Sequence, residues 1–187
     1  EPQPGQRLRA VPGAGLNVPI WLLGSSTFSA QLSAQLGLPF AFAGQFSPDF
    51  MFNALRTYRE HFQPSETLQE PHVMLGINAY VAASRDEAAM LATSHQQAFL
   101  NLIRGRPGPL PPPVDDMEAL WQPHEKHSVL STLAGTLIGD EDTVSQQLAD
   151  LLDRTGANEL IVSTSMFDQD ARQDSYRRMM EIARRVS

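Results

Sequence analysis

The chain contains no cysteine in 187 residues. Disulfides, thiol nucleophiles and thiolate metal sites are therefore excluded, and the composition is compatible with a reducing cytoplasm. Basic charge is scarce: 14 Lys and Arg stand against 21 Asp and Glu, for a net charge of −7. A protein that grips a phosphodiester backbone presents a basic face, so nucleic acid is not an expected partner. No apolar run reaches the roughly 18 residues of a membrane-spanning helix, and no signal peptide is visible. The two nearest histidines, in His124-Glu-Lys-His127, lack the i, i+4 spacing of a zinc helix, and no metal is expected. The chain also lacks an initiating methionine. Residues 1–17 open in a polar, Pro/Gly-rich stretch that reads as a linker or as the interior of a longer chain.

Hydrophobic residues make up 42% of the sequence, which suits one domain with a real core. Four short apolar runs stand out: Val18–Leu23, Pro39–Ala43, His72–Ala82 and Glu159–Thr164. Near-continuous apolar strands predict a parallel sheet covered on both faces. Helical patterns follow each run. The first spans about Ser26–Leu36 and stops at Gly37. The second opens on Ser47-Pro48-Asp49, with an N-cap, a proline at the first helical position and an early acid. The third opens on the capping box Ser84-Arg-Asp-Glu87 and runs to about Arg104. A fourth, about Asp140–Arg154, places Val144, Leu148, Leu151 and Leu152 on one face and stops at Gly156. A last helix follows Asp168, and its arginines fit a solvated face. The alternation is α/β.

Between about Gly105 and Gly139 lies an insertion headed by a proline-rich run, irregular or polyproline II. It reads either as a lid or binding loop, or as a stiff surface connector. Its spacing Arg106-x-x-Pro109-x-x-Pro112 also matches a loose proline-groove ligand pattern, which arises often in proline runs. Asp115-Asp116 caps or solubilises this segment.

The turn Gly24-Ser25-Ser26-Thr27 lies where a strand ends and a helix begins. The first helical amides there have no intrahelical partners, and the macrodipole places about half a positive charge beside them. Such a corner holds a phosphate with neutral groups alone. It also reads as an ordinary serine N-cap, and one serine can serve both roles. Asn78 interrupts an apolar strand, either as a structural hydrogen-bonder or facing a polar pocket. Ser165 and Met166, just past the last strand, are weak candidates for touching substrate.

Several segments carry a resemblance. They are Trp21-Leu-Leu-Gly-Ser-Ser26, Ala34-Gln-Leu-Gly-Leu-Pro-Phe-Ala-Phe-Ala43, Phe46-Ser-Pro-Asp49, Tyr58-Arg-x-x-Phe62, Arg104 to Met117, Ile138-Gly139, Arg154-Thr-Gly-Ala157 and Glu159-Leu-Ile-Val162. In this order they resemble the bacterial luciferase-like monooxygenase family. The resemblance implies the C-terminal half of a TIM-like (β/α)8 barrel: about four parallel strands with helices and one helical insertion, over 18–187. A complete barrel takes about 250 residues. It implies reduced FMN as cofactor, with a deazaflavin in some relatives, and oxygenation of an organic substrate with dioxygen. It places the flavin phosphate at Ser26, with Gly24, Ser25, Thr27 and Ser29 beside it, and the flavin ring against Ala43 and Gly44. Expected partners are the missing N-terminal half or a second copy, a flavin reductase and a small organic substrate. A flavin- or anion-binding accessory subunit without activity, or an inactive half-barrel, remains the alternative.

Overall fold

The computed structural model describes residues 5–8, 11–13, 15–46 and 48–186. Its elements run β1 (Leu22–Gly24), α1 (Thr27–Leu36), β2 (Phe40–Phe42), α2 (Pro48–Glu60), β3 (Val73–Val81), α3 (Arg85–Ile103), α4 (Pro123–Thr132), β4 (Leu137–Gly139), α5 (Glu141–Thr155), β5 (Glu159–Ser163) and α6 (Gln169–Val186). The N-cap expected at Ser47 lies outside the described residues. No helix among the described residues is long and apolar enough to cross a membrane.

Every strand pair is parallel: β1 with β2, β2 with β3, and β3 with both β4 and β5. Parity along β3 orders the sheet. Odd-numbered backbone groups face β5 and the segment that follows it: Val73 exchanges bonds with Asn158, the Ala79 carbonyl accepts from Thr164 Oγ1, and the Val81 amide donates to Ser175 Oγ of α6. Even-numbered neighbours face the other way: the His72 carbonyl accepts from Phe40, and the Ala82 amide donates to Gly139. So β4 continues the edge of β3 that β2 begins. This strand lies at the tail of the insertion and was not among the four expected, because three residues carry no readable period.

Side chains follow the same alternation. Val73, Leu75, Ile77, Ala79 and Val81 join Phe40 and Phe42 in one buried cluster. It is filled from the helices by Ala30 and Ala34 of α1, Leu55 and Tyr58 of α2, Val144 and Leu148 of α5, and Ile182 of α6. The second face carries Leu23, Ala41, Met74, Gly76, Asn78 and Ile161. There the expectation of full cover fails: Leu23 is 71% and Ile161 54% exposed. Residues 18–20 are exposed as well, and the first strand begins only at Leu22. Nothing in the described chain pairs the free edge of β1 or packs over this end of the sheet.

The helix ends match their sequence signals. Gly37 and Gly156 cap α1 and α5 in the left-handed region, with φ of 60° and 55°. Ser84 Oγ accepts from the Glu87 amide, while the Glu87 carboxylate reaches one residue further, to the Ala83 amide. Arg59 donates to the Thr155 and Gly156 carbonyls, tying α2 to the negative end of α5. On α6, Arg178 and Arg185 both pair with Glu141, so part of the arginine cluster braces α5 rather than lying free in solvent.

The insertion is strapped down along its length. Gln97 donates to the Pro112 carbonyl, and Thr93 Oγ1 accepts from the Val114 amide. Glu118's amide bonds Asp116, as a turn-capping aspartate requires. Met117, Trp121 and Val129 pack with Leu100 of α3 in a separate cluster. A two-pronged ion pair closes it: Arg104 Nε and Nη2 each lie 2.7 Å from a Glu125 carboxylate oxygen, and the Gln122 amide donates to the same group. The Arg104 guanidinium, first, and the Gln122 amide hold the Glu125 pKa down at about 2. A carboxyl depressed in the folded state stabilises above its unfolded pKa and loses that contribution as pH falls through its folded one. In a Trp21→Phe background, Trp121 fluorescence should therefore report the insertion loosening as pH drops from about 4.5 towards about 2. Glu125→Gln should loosen it already at neutral pH and erase the acid transition.

Candidate functional site

In β/α barrels the working end is the one where strands finish and helices begin. Here that end is lined by Gly24–Thr27 at and after the end of β1, Ala43–Gln45 after β2, Asn78 and Tyr80 in β3, and Ser163–Ser165 at and after the end of β5. No charged side chain occurs between Arg9 and Asp49, so the first two of these loops are neutral.

Ser26 occupies the N-cap position of α1, with extended backbone at φ −143° and ψ 166°, yet its side chain makes no capping bond. Its residue is exposed, and Ser25, Thr27 and Ser29 are half-buried around it. Ser29 Oγ donates to the Ser26 carbonyl at 3.1 Å. The leading amides of the helix and the Ser26 hydroxyl thus stand open at one corner. Gly24 makes this possible by its size: a Cβ there would lie 1.9 Å from Ser29 Oγ and 2.5 Å from Ser29 Cβ.

Ala43 and Gly44 are buried at the end of β2. The Ala43 amide donates to the Gly24 carbonyl at 2.9 Å, which locks the two loops together. A Cβ on Gly44 would come within 2.7 Å of the Gly76 carbonyl. Asn78 is 4% exposed. Its Nδ2 donates to the Gln45 carbonyl at 3.4 Å, and its Oδ1 accepts from Ser163 Oγ at 2.8 Å. Asn78 therefore bridges the turn after β2 to β5, as a structural hydrogen-bonder does.

Ser165 is half-buried, and its amide donates to Tyr80 Oη at 3.3 Å. Met166 packs with Tyr80, Leu91 and Ala92 and is 1% exposed, so its contacts are those of a core residue. Three residues that sequence reasoning missed also reach this end. Tyr80 Oη lies 2.7 Å from His95 Nδ1. Burial lowers the His95 pKa and raises that of Tyr80, so the pair is neutral, with Tyr80 as donor. Gln45 lays its carboxamide against Gly76. The period-2 series Gly76, Asn78, Tyr80 within β3 was the readable signal for this face.

The profile of the luciferase-like monooxygenase family matches residues 2–159. The chain belongs to this family. A luciferase-like monooxygenase of Escherichia coli (strain K12) is 46% identical over 179 residues, covering 96% of this chain and 53% of that protein. The crystal structure of apo-MsnO8 superposes with a TM-score of 0.78 at 28% identity, over 98% of this chain and 56% of that one. The oxygenating constituent of 3,6-diketocamphane monooxygenase from Pseudomonas putida, solved with FMN, shares the fold at 16% identity, with a TM-score of 0.54 over 88% of this chain and 46% of its own. The chain thus spans about half the length of the curated relatives it matches. Its fold is the corresponding part of the luciferase-like barrel.

Gly24→Ala should destabilise the protein by about 1–3 kcal/mol through overpacking against Ser29. Ser29→Gly in the same molecule should recover much of that loss. Thermal unfolding of the two single variants and the double variant measures the coupling; additive effects would mean that the two residues do not compete for one space.

Proposed function

We propose that this chain forms the cofactor-binding half of a flavin-dependent monooxygenase that oxygenates a small organic substrate with reduced FMN and dioxygen. The observation that carries the reading is the Ser26 hydroxyl, unspent on capping, beside the open amides of α1 at the C-terminal end of a parallel sheet. Its setting in a chain of the luciferase-like family supports it.

The residues present fit such a cofactor. Ser25, Ser26, Thr27 and Ser29 supply neutral donors for the phosphate. Gly24 leaves room for Ser29 to stand in that corner. Ala43 and Gly44 give a wall without projecting side chains for a flat ring. Asn78 and Ser163 hold that wall in place, and Ser165 lies further along the same end. When bound, reduced flavin supplies the electrons that activate dioxygen; the chain's residues position it and exclude water. A flavin reductase delivers the reduced cofactor. Chains of this fold are solved with FMN and with the deazaflavin F420; FMN is the cofactor proposed here.

An FMN phosphate carries about −1.5 to −2 charges, while no Lys or Arg occurs in the sequence between Arg9 and Arg56 to meet it from the serine corner. A basic residue from outside this chain completes the site. The isolated chain should therefore bind FMN weakly, and tight binding in a fluorescence-quenching titration would overturn that requirement. Ser26→Ala should weaken FMN binding roughly 10- to 100-fold, the equivalent of one charge-assisted bond of about 1.5–3 kcal/mol. It should leave riboflavin affinity and the unfolding midpoint unchanged, because no capping bond is lost. Unchanged FMN affinity would remove the phosphate assignment. Oxygen uptake in the presence of a flavin reductase separates the enzyme from an inactive flavin binder.

A further inference from the structure

We propose that the Gln45 carboxamide reads the pyrimidine edge of the flavin ring, an inference that rests on the flavin reading above. Gln45 follows Ala43-Gly44 in the turn after β2. Its Oε1 lies against the strand at Gly76, shut off from water and without a hydrogen-bond partner, so a ligand donor pairs with it when the carboxamide lifts off the strand. A buried acceptor without a donor is a standing cost that native proteins keep where a function uses it.

The turn itself is not loose. The Gln45 carbonyl accepts from Asn78 Nδ2, Asn78 in turn accepts from Ser163, and the Phe46 amide donates to Ala43 at 3.1 Å. Only the side-chain pole is left over. Gly76 is what lets it lie on the strand: a Cβ at that position would sit 2.1 Å from Gln45 Oε1 and 2.9 Å from its Cδ. Any other residue at 76 would push the carboxamide off the sheet. The orphan acceptor and the missing Cβ are thus two halves of one arrangement.

The chemistry of the group selects the ligand edge. A carboxamide offers an acceptor beside a donor. The pyrimidine ring of a flavin offers the reciprocal pair, an imide N–H flanked by carbonyls. The dimethylbenzene end of the ring has no donor and would leave Oε1 unpaired. No charged side chain between Arg9 and Asp49 competes for the group from the same loops.

The test uses the ¹⁵N-labelled chain titrated with FMN, riboflavin and 3-methylriboflavin, the last lacking the imide proton. The Gln45 side-chain amide and the Gly76 backbone amide should shift saturably with FMN and riboflavin. Gln45→Met should weaken both ligands about tenfold, whereas Ser26→Ala weakens FMN alone. Methylation at the imide should cost affinity in the unaltered protein and nothing further in Gln45→Met. The Gln45→Met unfolding midpoint should hold or rise, since an unsatisfied acceptor has been replaced by an apolar chain of similar length; a merely structural glutamine would lower it. Flavin affinity unchanged in Gln45→Met, with Ser26→Ala still impaired, would overturn this inference and leave the phosphate site standing. No shift with any flavin would remove both.

Discussion

Three of the four strand pairings run through β3, which makes its nine residues the constraint on which the rest depends. Its odd positions are all aliphatic and lie against four helices. Its even positions are Met74, Gly76, Asn78 and Tyr80, and they face the other way. One strand therefore carries the core on one side and the polar fittings of the working end on the other. Burial fixes the register, because a slip of one residue would exchange the two sets. The neighbouring strands inherit their height from it: Phe42 stands opposite Leu75 and Ser163 opposite Asn78. That is why the loop after β2 and the end of β5 meet at Asn78.

The second face is finished only towards the end where strands stop. Asn78 is sealed by its bonds to Gln45 and Ser163, and Tyr80 by α3. Lower down, Leu23 and Ile161 stand open. On the outer side of α1, Phe28, Leu32 and Leu36 recur at intervals of four and are exposed. At the opposite end of the sheet, β5 pairs only with β3 among the described residues, and Met180 beside it is exposed. Open edges and apolar stripes at both ends are surfaces that a native assembly covers. They fit a chain spanning about half the length of its relatives.

Much of this was legible in the sequence. Gly37 and Gly156 gave the helix stops because a left-handed cap selects glycine, and Ser84 gave a start because its hydroxyl meets an orphan amide. The length of the first strand was misread. Val18 and Ile20 have the composition of a buried strand, but composition cannot say whether the surface that would bury them belongs to the same chain. β4 was missed because its three residues take their structure from β3 rather than from a period of their own. At the candidate site, Ser26 was legible as a corner with two readings, and only its backbone angles and its unspent hydroxyl separate position from bonding. Gln45 left no mark in the sequence: its meaning arises from Gly76, 31 residues away, across a strand pairing.

Gly24, Gly44 and Gly76 show how the site was made from absences. None of the three has a positive φ, so none is there for backbone freedom. Each instead stands where a Cβ would strike something: Ser29 at the first, the Gly76 carbonyl at the second, the Gln45 carboxamide at the third. All three lie at the strand-finishing end of the first three strands or in their second face. Glycine inside a strand weakens it and packs nothing, so Gly24 and Gly76 work against the sheet, and Gly44, in the turn after β2, adds no packing to it. The gain is local: a hydroxyl brought to a helix start, two loops in backbone contact, and a carboxamide laid flat. Several residues that break the rules for stability in one place, each break admitting one specific neighbour, are the pattern expected of a functional site, and they support the ligand site proposed above.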